Sequence, residues 1–144
     1  MSTLGASVTL HATTVAVEGR AALILGASGA GKSSLALQLM ALGAVLVSDD
    51  RTVVQRDGER LIADAPDTLR GLIEARGVGI LNAAAAGAVP VSVVIDLDQT
   101  ETQRLPAAHG HSVLGVVLPC LHKCDTPAWP AAIMQYLKAG SSEP

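Results

Sequence analysis

The order of apolar and polar positions along the chain predicts a domain in which strands and helices alternate. Short runs rich in β-branched residues and bounded by turn residues are typical of strands. Continuous apolar runs, such as residues 21–25, are typical of strands buried on both faces. Strands are predicted over residues 7–11, 13–18, 21–25, 44–47, 52–55, 60–63, 78–81 and 91–96, and a last apolar run covers 113–118.

Three segments have the pattern of helices. Residues 33–42 carry Leu35, Leu39 and Leu42 at helical spacing, and Gly43 follows as a typical C′ residue. Residues 66–75 are predicted to be helical because Pro66 stands near the first turn and Gly77 follows the end. The third helix is predicted over 128–138, with Thr126 as its cap and Pro130 in its first turn.

The remaining segments are predicted to be turns and loops. Asp57-Gly58 lies between two predicted strands and is a strong signal for a hairpin. The polar segment 99–112 is expected to be a mobile loop, and the tail from Gly140 to Pro144 is expected to fray. We find no internal repeat and no linker, so one domain over residues 1–144 is expected.

Composition excludes several classes of protein. Hydrophobic residues make up 49% of the 144 residues and charged residues 16%, which excludes a disordered chain. The net charge is −3, and Trp129 and Tyr136 are the only aromatic side chains besides histidine. Nucleic-acid binding by charge or by base stacking is therefore not expected. We interpret Trp129 and Tyr136 as core anchors of the last helix, with a partner-docking face as the less favoured alternative.

Targeting and membrane insertion are not indicated. The first eight residues lack the basic and apolar regions of a signal peptide. Residues 77–95 carry no charge and are long enough for a membrane span, but they contain three glycines and Pro90. We interpret this stretch as two buried strands around an alanine-rich turn. A cytoplasmic protein is expected, and Cys120 and Cys124 do not suggest a disulfide scaffold.

A phosphate-binding loop is the firmest prediction from the residues themselves. Residues 26–33 fit G-x-x-x-x-G-K-[ST], and they lie between a predicted buried strand and an amphipathic helix. Glycines let successive backbone N–H groups point at one anion, and the helix that follows directs its positive end at the phosphates. Lys32 supplies a positive charge to the phosphates, and Ser33 supplies a hydroxyl to Mg²⁺. The predicted nucleotide site comprises Gly26, Ala27, Ser28, Gly29, Ala30, Gly31, Lys32, Ser33 and Ser34.

Two further groups of charged residues are candidates for the same site. Asp49 and Asp50 end an apolar strand, as an acidic partner of a P-loop should. Adjacent strand residues point to opposite faces, so the two carboxylates need not share one role. A turn or cap role for the pair is the alternative. Glu74 and Arg76 could reach a shared site, but a solvated helix end with a surface arginine would have the same sequence.

A metal site near the C-terminus is a weaker candidate. Cys120, His122 and Cys124 lie within five residues, and His109 and His111 could complete a zinc ligand set. No C-x-x-C pair is present. A buried cysteine and a loop histidine are therefore the favoured interpretation.

Three motifs resemble the bacterial HPr kinase/phosphorylase family. They follow in order and at similar separations, and the third is the most specific. His11 also matches a histidine that the family places ahead of its P-loop. The resemblance covers about residues 8–97, with a weaker trace to 118. The motifs are G-A-S-G-A-G-K-S at 26–33, L-V-S-D-D at 46–50 and I-E-A-R-G-V-G-I-L-N at 73–82.

The resemblance implies a fold and a set of residue roles. The fold is an α/β P-loop domain of the HPr kinase/PEP carboxykinase type, with a mixed β-sheet and flanking helices. Asp49 would accept the proton of the acceptor serine, and Asp50 would support it near the metal. Arg76 would stabilise the transferring phosphoryl group, and His11 would belong to the catalytic set. Metal ligands would be Ser33, Glu74 and Asp50.

The resemblance also implies an activity and partners. The expected function is that of an ATP- and Mg²⁺-dependent protein serine kinase acting on HPr, the phosphocarrier of the phosphotransferase system. The chain would be a short form with the catalytic domain alone, and the family's hexameric assembly is implied. The reverse phosphorylase activity is not expected, because residues 118–127 contain one lysine and no arginine where the family has a basic segment. A regulatory nucleotide-binding module without transferase activity and a small-metabolite kinase are the alternatives.

Overall fold

The main structural element is a mixed β-sheet. Its parallel centre is formed by three strands that are far apart in sequence. The computed structural model describes residues 4–142. Strands β3, β9 and β11 run parallel, and the other pairings in the main sheet are antiparallel. The strands are β1 (Leu4–Leu10), β2 (Ala12–Val17), β3 (Arg20–Leu25), β4 (Val45–Ser48), β5 (Thr52–Asp57), β6 (Arg60–Asp64), β7 (Leu72–Ala75), β8 (Gly79–Asn82), β9 (Val89–Thr100), β10 (His109–Val113) and β11 (Val116–Lys123).

The long strand β9 joins two parts of the main sheet. Its first residues pair with β6, which continues through β5 to β1. Its later residues pair with β3 on one side and with β11 on the other. Beyond β3 follow β2 and β4, and beyond β11 follows β10. Strands β7 and β8 form a separate antiparallel hairpin.

Two helices cover one face of the sheet. Helix α1 (Lys32–Ala41) and helix α2 (Trp129–Ala139) pack in the same hydrophobic cluster as β3 and β9, with Leu39, Ile95 and Ile133 at its centre. A second cluster has no helical residues and lies among the strands, around Leu23, Val54 and Leu61. Trp129 and Tyr136 are partly buried against the first cluster, so their interpretation as core anchors is confirmed. The predicted α/β class with a mixed sheet is also confirmed.

Most predicted elements occur within one to three residues of their expected bounds. Helix α1 ends before Gly43, whose φ of 115° is the left-handed conformation expected of a C′ residue. The hairpin at Asp57-Gly58 is present between β5 and β6. Thr126 accepts a hydrogen bond from the Ala128 N–H at 3.4 Å, just ahead of α2. The N-cap of α2 is Ala128 and has no side-chain cap, so the predicted capping role of Thr126 is wrong.

The helix predicted over residues 66–75 is wrong. Only a single 3₁₀ turn forms, at Asp67–Leu69, and Leu72–Ala75 is strand β7. Gly71 has a φ of 74°, which ends any helix, and a Cβ there would lie 3.0 Å from the Ala83 carbonyl oxygen. Buried Ile73 and Ala75 alternate with exposed Glu74, so the local period is two and not 3.6.

The loop predicted over 99–112 is also partly wrong. Strand β9 continues to Thr100, and His109–Val113 is strand β10. Polar side chains are tolerated there because β10 lies at the edge of the sheet. The chain leaves α2 at Gly140, as expected, and residues 143 and 144 of the tail lie outside the described part. Among the described helices, none is long and apolar enough to cross a membrane.

Candidate active site

The P-loop connects β3 to α1 and leaves backbone N–H groups free for an anion. Gly29 and Gly31 have φ values of 84° and 101°, which other residues adopt only under strain. Helix α1 has no side-chain cap and no acidic residue in its first turn. Its first N–H groups therefore lack side-chain partners and lie at the positive end of the helix, where a phosphate binds favourably.

Lys32 lies at the start of α1 and is buried. Its ammonium donates hydrogen bonds to the carbonyl oxygens of Gly26 and Ala27, at 2.8 and 3.4 Å. Burying an ammonium group is costly unless it is hydrogen-bonded, and the two carbonyl oxygens supply that bonding. These contacts hold the positive charge inside the curl of the loop, where phosphate oxygens can replace the carbonyl groups.

The order of the strands brings Asp49 beside the P-loop. Strand β2 lies antiparallel between β3 and β4, so the carboxyl ends of β3 and β4 are at the same edge of the sheet. Asp49 follows β4 and is buried, and its Oδ1 accepts hydrogen bonds from the hydroxyls of Ser33 at 2.6 Å and Thr13 at 3.0 Å. Its Oδ2 accepts a hydrogen bond from the Glu74 N–H at 2.9 Å. Asp49 thus joins the P-loop, β2 and β7.

Asp50 is exposed beside Asp49 and has an unusual backbone. Its φ of 65° is left-handed, a conformation that aspartate tolerates better than most residues. The Asp50 N–H donates a hydrogen bond to the Thr13 hydroxyl at 3.0 Å, and the Arg51 N–H donates to the Asp49 carbonyl oxygen at 2.8 Å. These bonds hold the turn that carries the two neighbouring carboxylates.

The β7–β8 hairpin supplies Glu74 and Arg76 to the same cleft. Both residues are exposed: Glu74 lies on the face of β7 opposite the buried Ile73 and Ala75, and Arg76 directly follows the strand. The cleft has a volume of about 1000 Å³. Its charged and hydroxyl-bearing lining includes Lys32, Ser33, Ser34, Asp49, Asp50, Glu74 and Arg76.

Not every predicted site residue lines this cleft. Ser28, Gly29 and Gly31 do, whereas Gly26, Ala27 and Ala30 do not. Gly26 is packed closely, because a Cβ there would lie 3.1 Å from the Ala30 and Leu97 Cβ atoms. His11 is exposed between β1 and β2 and lies outside the cleft.

Two side chains that contact the site were not predicted from the sequence. Thr13 is fully buried and bonds to both members of the Asp49–Asp50 pair. Asp98 accepts a bifurcated hydrogen bond from the Ala27 N–H of the P-loop, at 3.1 Å to each oxygen. The adjacent threonines 13 and 14, in a strand that is otherwise apolar and fully buried, were the available signal for Thr13. Asp98 gave no comparable signal.

A short loop closes the other side of the cleft. Pro66, Thr68 and Leu69 line it, and Arg70 holds the loop by donating to Asp64 Oδ1 at 2.8 Å and to the Ala65 carbonyl oxygen at 3.1 Å. The hydrogen bond from Arg70 keeps the pKa of Asp64 below its ordinary value.

The cleft suits a hard divalent cation next to phosphates. Ser33, Asp49, Asp50 and Glu74 offer hydroxyl and carboxylate oxygens, the ligands that Mg²⁺ prefers. Mg²⁺ keeps several waters and binds through one or two protein groups plus phosphate oxygens. The donor set and the free N–H groups of the P-loop therefore fit a nucleotide bound with Mg²⁺.

Comparison with known proteins identifies relatives of the chain. The HPr kinase/phosphorylase of Caldicellulosiruptor bescii is 44% identical over 98 residues, which cover 65% of this chain and 32% of that protein. The HPr kinase/phosphorylase of Bacillus velezensis is 39% identical over 108 residues, covering 69% and 35%. The chain spans about a third of the length of these curated relatives.

A solved structure supports the fold. The Hpr(Ser) kinase/phosphatase from Coxiella burnetii superposes with a TM-score of 0.75, covering 90% of this chain and 93% of that chain at 24% sequence identity. The family model of the HPr Serine kinase C-terminal domain matches residues 2–107. Because this match extends over most of the sequence, the chain belongs to the HPr serine kinase C-terminal domain family.

Proposed function

We propose that the chain is an ATP- and Mg²⁺-dependent protein kinase that phosphorylates a serine of the phosphocarrier protein HPr. The names of the relatives suggest the acceptor. The observation that carries the proposal is the 2.6 Å hydrogen bond between the Ser33 hydroxyl and Asp49 Oδ1. It brings the P-loop within contact distance of a buried carboxylate, at the open cleft where a protein hydroxyl can enter.

In this proposal the P-loop binds and orients the triphosphate. The N–H groups of Gly29 and of Gly31 to Ser34 surround the phosphate oxygens, and Lys32 exchanges its carbonyl partners for them. The Ala30 N–H instead donates to the Ala27 carbonyl oxygen within the loop. Ser33, Asp50 and Glu74 would hold Mg²⁺, which would neutralise the charge that develops on the transferring phosphoryl group. Arg76, on the opposite wall of the cleft, stabilises the same charge from the acceptor side.

Asp49 is the proposed acceptor of the serine proton. With the Ser33 hydroxyl among the Mg²⁺ ligands, Asp49 Oδ1 would lose that donor and could accept a hydrogen bond from the acceptor hydroxyl. The Glu74 N–H on Oδ2 and the Thr13 hydroxyl on Oδ1 still fix the carboxylate. A fixed orientation favours transfer, because the serine oxygen must approach the phosphorus in line.

His11 is assigned a role only toward the acceptor protein. Its exposed position outside the cleft supports contact with a docked protein and not with the nucleotide. His11→Gln is expected to raise the KM for HPr and to leave the KM for ATP unchanged.

Intact-mass spectrometry of HPr, incubated with the chain, Mg²⁺ and ATP, tests the proposal. We expect the mass of one phosphoryl group to be added and to map to a serine. Asp49→Asn should lower turnover by about 10²- to 10⁴-fold, the usual contribution of a general base, with ATP affinity largely unchanged. Asp125→Asn, an exposed aspartate outside the cleft, is the matched control and should retain full turnover.

Other outcomes would assign a different function to the chain. If ATP binds but HPr gains no mass and the ATP is not consumed, the chain is a nucleotide-binding regulatory module. If ATP is consumed only with a small acceptor present, it is a small-metabolite kinase. Near-normal turnover of Asp49→Asn would refute the role of Asp49 alone.

Two further properties implied by the family are also proposals. Self-assembly, to a hexamer, is tested by light scattering coupled to size-exclusion chromatography. The reverse reaction with inorganic phosphate is expected to be weak, because Lys123 is the only cation besides histidine in residues 118–127. Incubating serine-phosphorylated HPr with phosphate and measuring the loss of its phosphoryl group tests the second expectation.

A further inference from the structure

Three side chains that commonly bind metals converge outside the P-loop cleft. Glu101 follows β9, His109 begins β10 and His122 lies near the end of β11. Their potential ligand atoms all lie within 4.8 Å of one another. Within residues 4–142 no other group of three such side chains comes as close.

The pairing of β10 with β11 brings the two histidines together. His109 lies directly opposite Cys120 in the antiparallel ladder, and His122 is two residues further along β11. Side chains two apart on a strand share a face, so His109 and His122 are diagonal neighbours. Their rings stack with centroids 3.9 Å apart and planes 11° apart.

An irregularity in β9 brings Glu101 to the same place. His122 pairs with Asp96, but the next residue, Lys123, pairs with Thr100, so residues 97–99 bulge out of the ladder. The Glu101 N–H then donates to the Lys123 carbonyl oxygen at 2.8 Å. Bulges of this kind are common next to functional sites, where they redirect a side chain.

The Glu101 carboxylate is held with one oxygen toward the histidines. Its Oε2 accepts the N–H groups of Thr102 and Gln103, at 3.0 and 3.1 Å. Its Oε1 lies 2.9 Å from His109 Nε2. The Glu101 side chain is only 13% exposed, and that of His109 is 34% exposed. The group is thus partly enclosed but open to an ion from solvent.

The chemistry of the three side chains selects one class of metal. Two imidazoles and one carboxylate form a ligand set used by protein-bound zinc, whereas Mg²⁺ and Ca²⁺ prefer oxygen ligands alone. A tetrahedral zinc ion with bonds of about 2.1 Å requires ligand atoms about 3.4 Å apart. The ligand atoms lie within 4.8 Å of one another, so small rotations of the side chains would be needed to reach that separation.

We propose that Glu101, His109 and His122 bind one divalent transition-metal ion of the zinc class. Three protein ligands leave a further coordination position for water or another ligand. The ion would cross-link β9, β10 and β11 at the sheet edge that carries the P-loop. The site is separate from the Mg²⁺ position of the proposed kinase, and its test uses binding and not phosphoryl transfer.

Calorimetric titration of the whole chain with Zn²⁺ in excess Mg²⁺ tests the proposal. Excess Mg²⁺ keeps hard oxygen sites such as the cleft occupied. We expect one Zn²⁺ per chain, and a loss of affinity of at least about tenfold in each of Glu101→Gln and His122→Gln. His111→Gln is the matched control, because His111 lies on the same strand as His109 but outside the cluster. It should bind Zn²⁺ as the parent chain does.

Two more measurements separate this site from other sources of binding. Co²⁺ bound to the chain should show the visible bands of a nitrogen- and oxygen-ligated ion without a thiolate charge-transfer band, also in Cys124→Ser. Glu101 lies after the end of β9, so Glu101→Gln keeps the test valid if His122→Gln unfolds. The proposal is overturned if the parent chain binds no Zn²⁺, if Glu101→Gln binds it as tightly as the parent, or if only Cys124→Ser or Asp49→Asn loses it.

Discussion

The P-loop cleft and the Glu101–His109–His122 cluster lie at the same edge of the sheet but are built in different ways. Both are near the carboxyl ends of the parallel strands β3, β9 and β11. The proposed phosphate-binding segment is contiguous, residues 26–34, and would bind through its backbone conformation. The cluster comes from three segments and exists only because of strand register and one bulge. A contiguous site can be recognised in a sequence, whereas one formed by register cannot.

The cleft itself combines both kinds of construction. Its carboxylate wall depends on β2 lying between β3 and β4, which lets Thr13 bridge to Asp49 and Asp50. Another wall of the cleft depends on the β7–β8 hairpin, in which the Glu74 N–H donates a hydrogen bond to Asp49 Oδ2. Substitutions in the contiguous part should therefore change nucleotide binding, and substitutions in the assembled part should change turnover.

The largest effect on nucleotide binding is expected from Lys32→Ala. Hydrogen bonds to charged groups contribute about 1.5–3 kcal/mol, so the affinity for ATP should fall by about 10- to 100-fold. Titration calorimetry measures this loss directly. Lys138→Ala, in the last turn of α2, is the matched control and should bind ATP normally. Zn²⁺ binding should be unchanged in both variants; a parallel loss in Lys32→Ala would mean that the two regions are one site.

Thr13→Val should have the next largest effect, and on turnover. The substitution keeps the shape of a fully buried side chain but leaves the Asp50 N–H without its acceptor and Asp49 without one donor. We expect kcat to fall by about tenfold through misplacement of Asp49, with the KM for ATP unchanged. The free energy of unfolding should fall by about 1–3 kcal/mol.

Thr14→Val is the control for Thr13→Val. Thr14 is equally buried, but its hydroxyl bonds to Thr52 and not to the carboxylates. It should cost stability without lowering kcat. Equal losses of kcat in the two variants would show that Thr13 acts only through the stability of β2.

The sequence predicted the local parts of the fold and site for a physical reason. A P-loop needs glycines at fixed positions, and a buried strand needs a run of apolar residues, so both are visible in the order of residues. The segment 66–75 was misjudged because Pro66 favoured a helix, while Gly71 and the alternation of Ile73, Glu74 and Ala75 required a turn and a strand. Glu74 was nevertheless a correct candidate for the cleft, because the motif that contains it was recognised whole.

The nonlocal parts could not be predicted. Thr13 contacts residues 36 and 37 positions away, and Asp98 contacts a residue 71 positions away. The five-residue group Cys120–Cys124 drew attention to a metal site with the cysteines as ligands. In the structure His109 and His122 are together as that interpretation required, but their third neighbour is Glu101 and not a cysteine. The bulge at residues 97–99 that makes this possible has no pattern in the sequence.

Asp98 links the two regions, and its neutralisation should have a smaller effect. Asp98→Asn retains an oxygen for the Ala27 N–H but removes a negative charge beside the P-loop. Through water, the repulsion between the Asp98 carboxylate and a bound phosphate amounts to about 0.5 kcal/mol. ATP should therefore bind about twofold more tightly to Asp98→Asn than to the parent chain at low salt. The gain should vanish at high salt, where such charges are screened. Titrations at two salt concentrations measure this gain, and weaker binding at low salt would show that the bifurcated hydrogen bond matters more than the charge.

The smallest effect is expected from Asp64→Asn, and it should depend on pH. The hydrogen bond from Arg70 lowers the pKa of Asp64 in the folded chain below the ordinary value of 3.8. The ion pair therefore stabilises the fold above that value, and the stabilisation is lost as the pH falls through the lowered pKa. Because solvent screens this half-exposed pair, the difference in the urea midpoint between Asp64→Asn and the parent chain should be small at neutral pH. The difference should disappear in strong acid.

Asp67→Asn is the control for Asp64→Asn. Its carboxylate is fully exposed and 3.5 Å from Arg70, so its urea midpoint should show almost no difference from the parent chain at any pH. Equal behaviour of the two variants would mean that the loop beside the cleft is held by Arg70 and the Ala65 carbonyl oxygen alone.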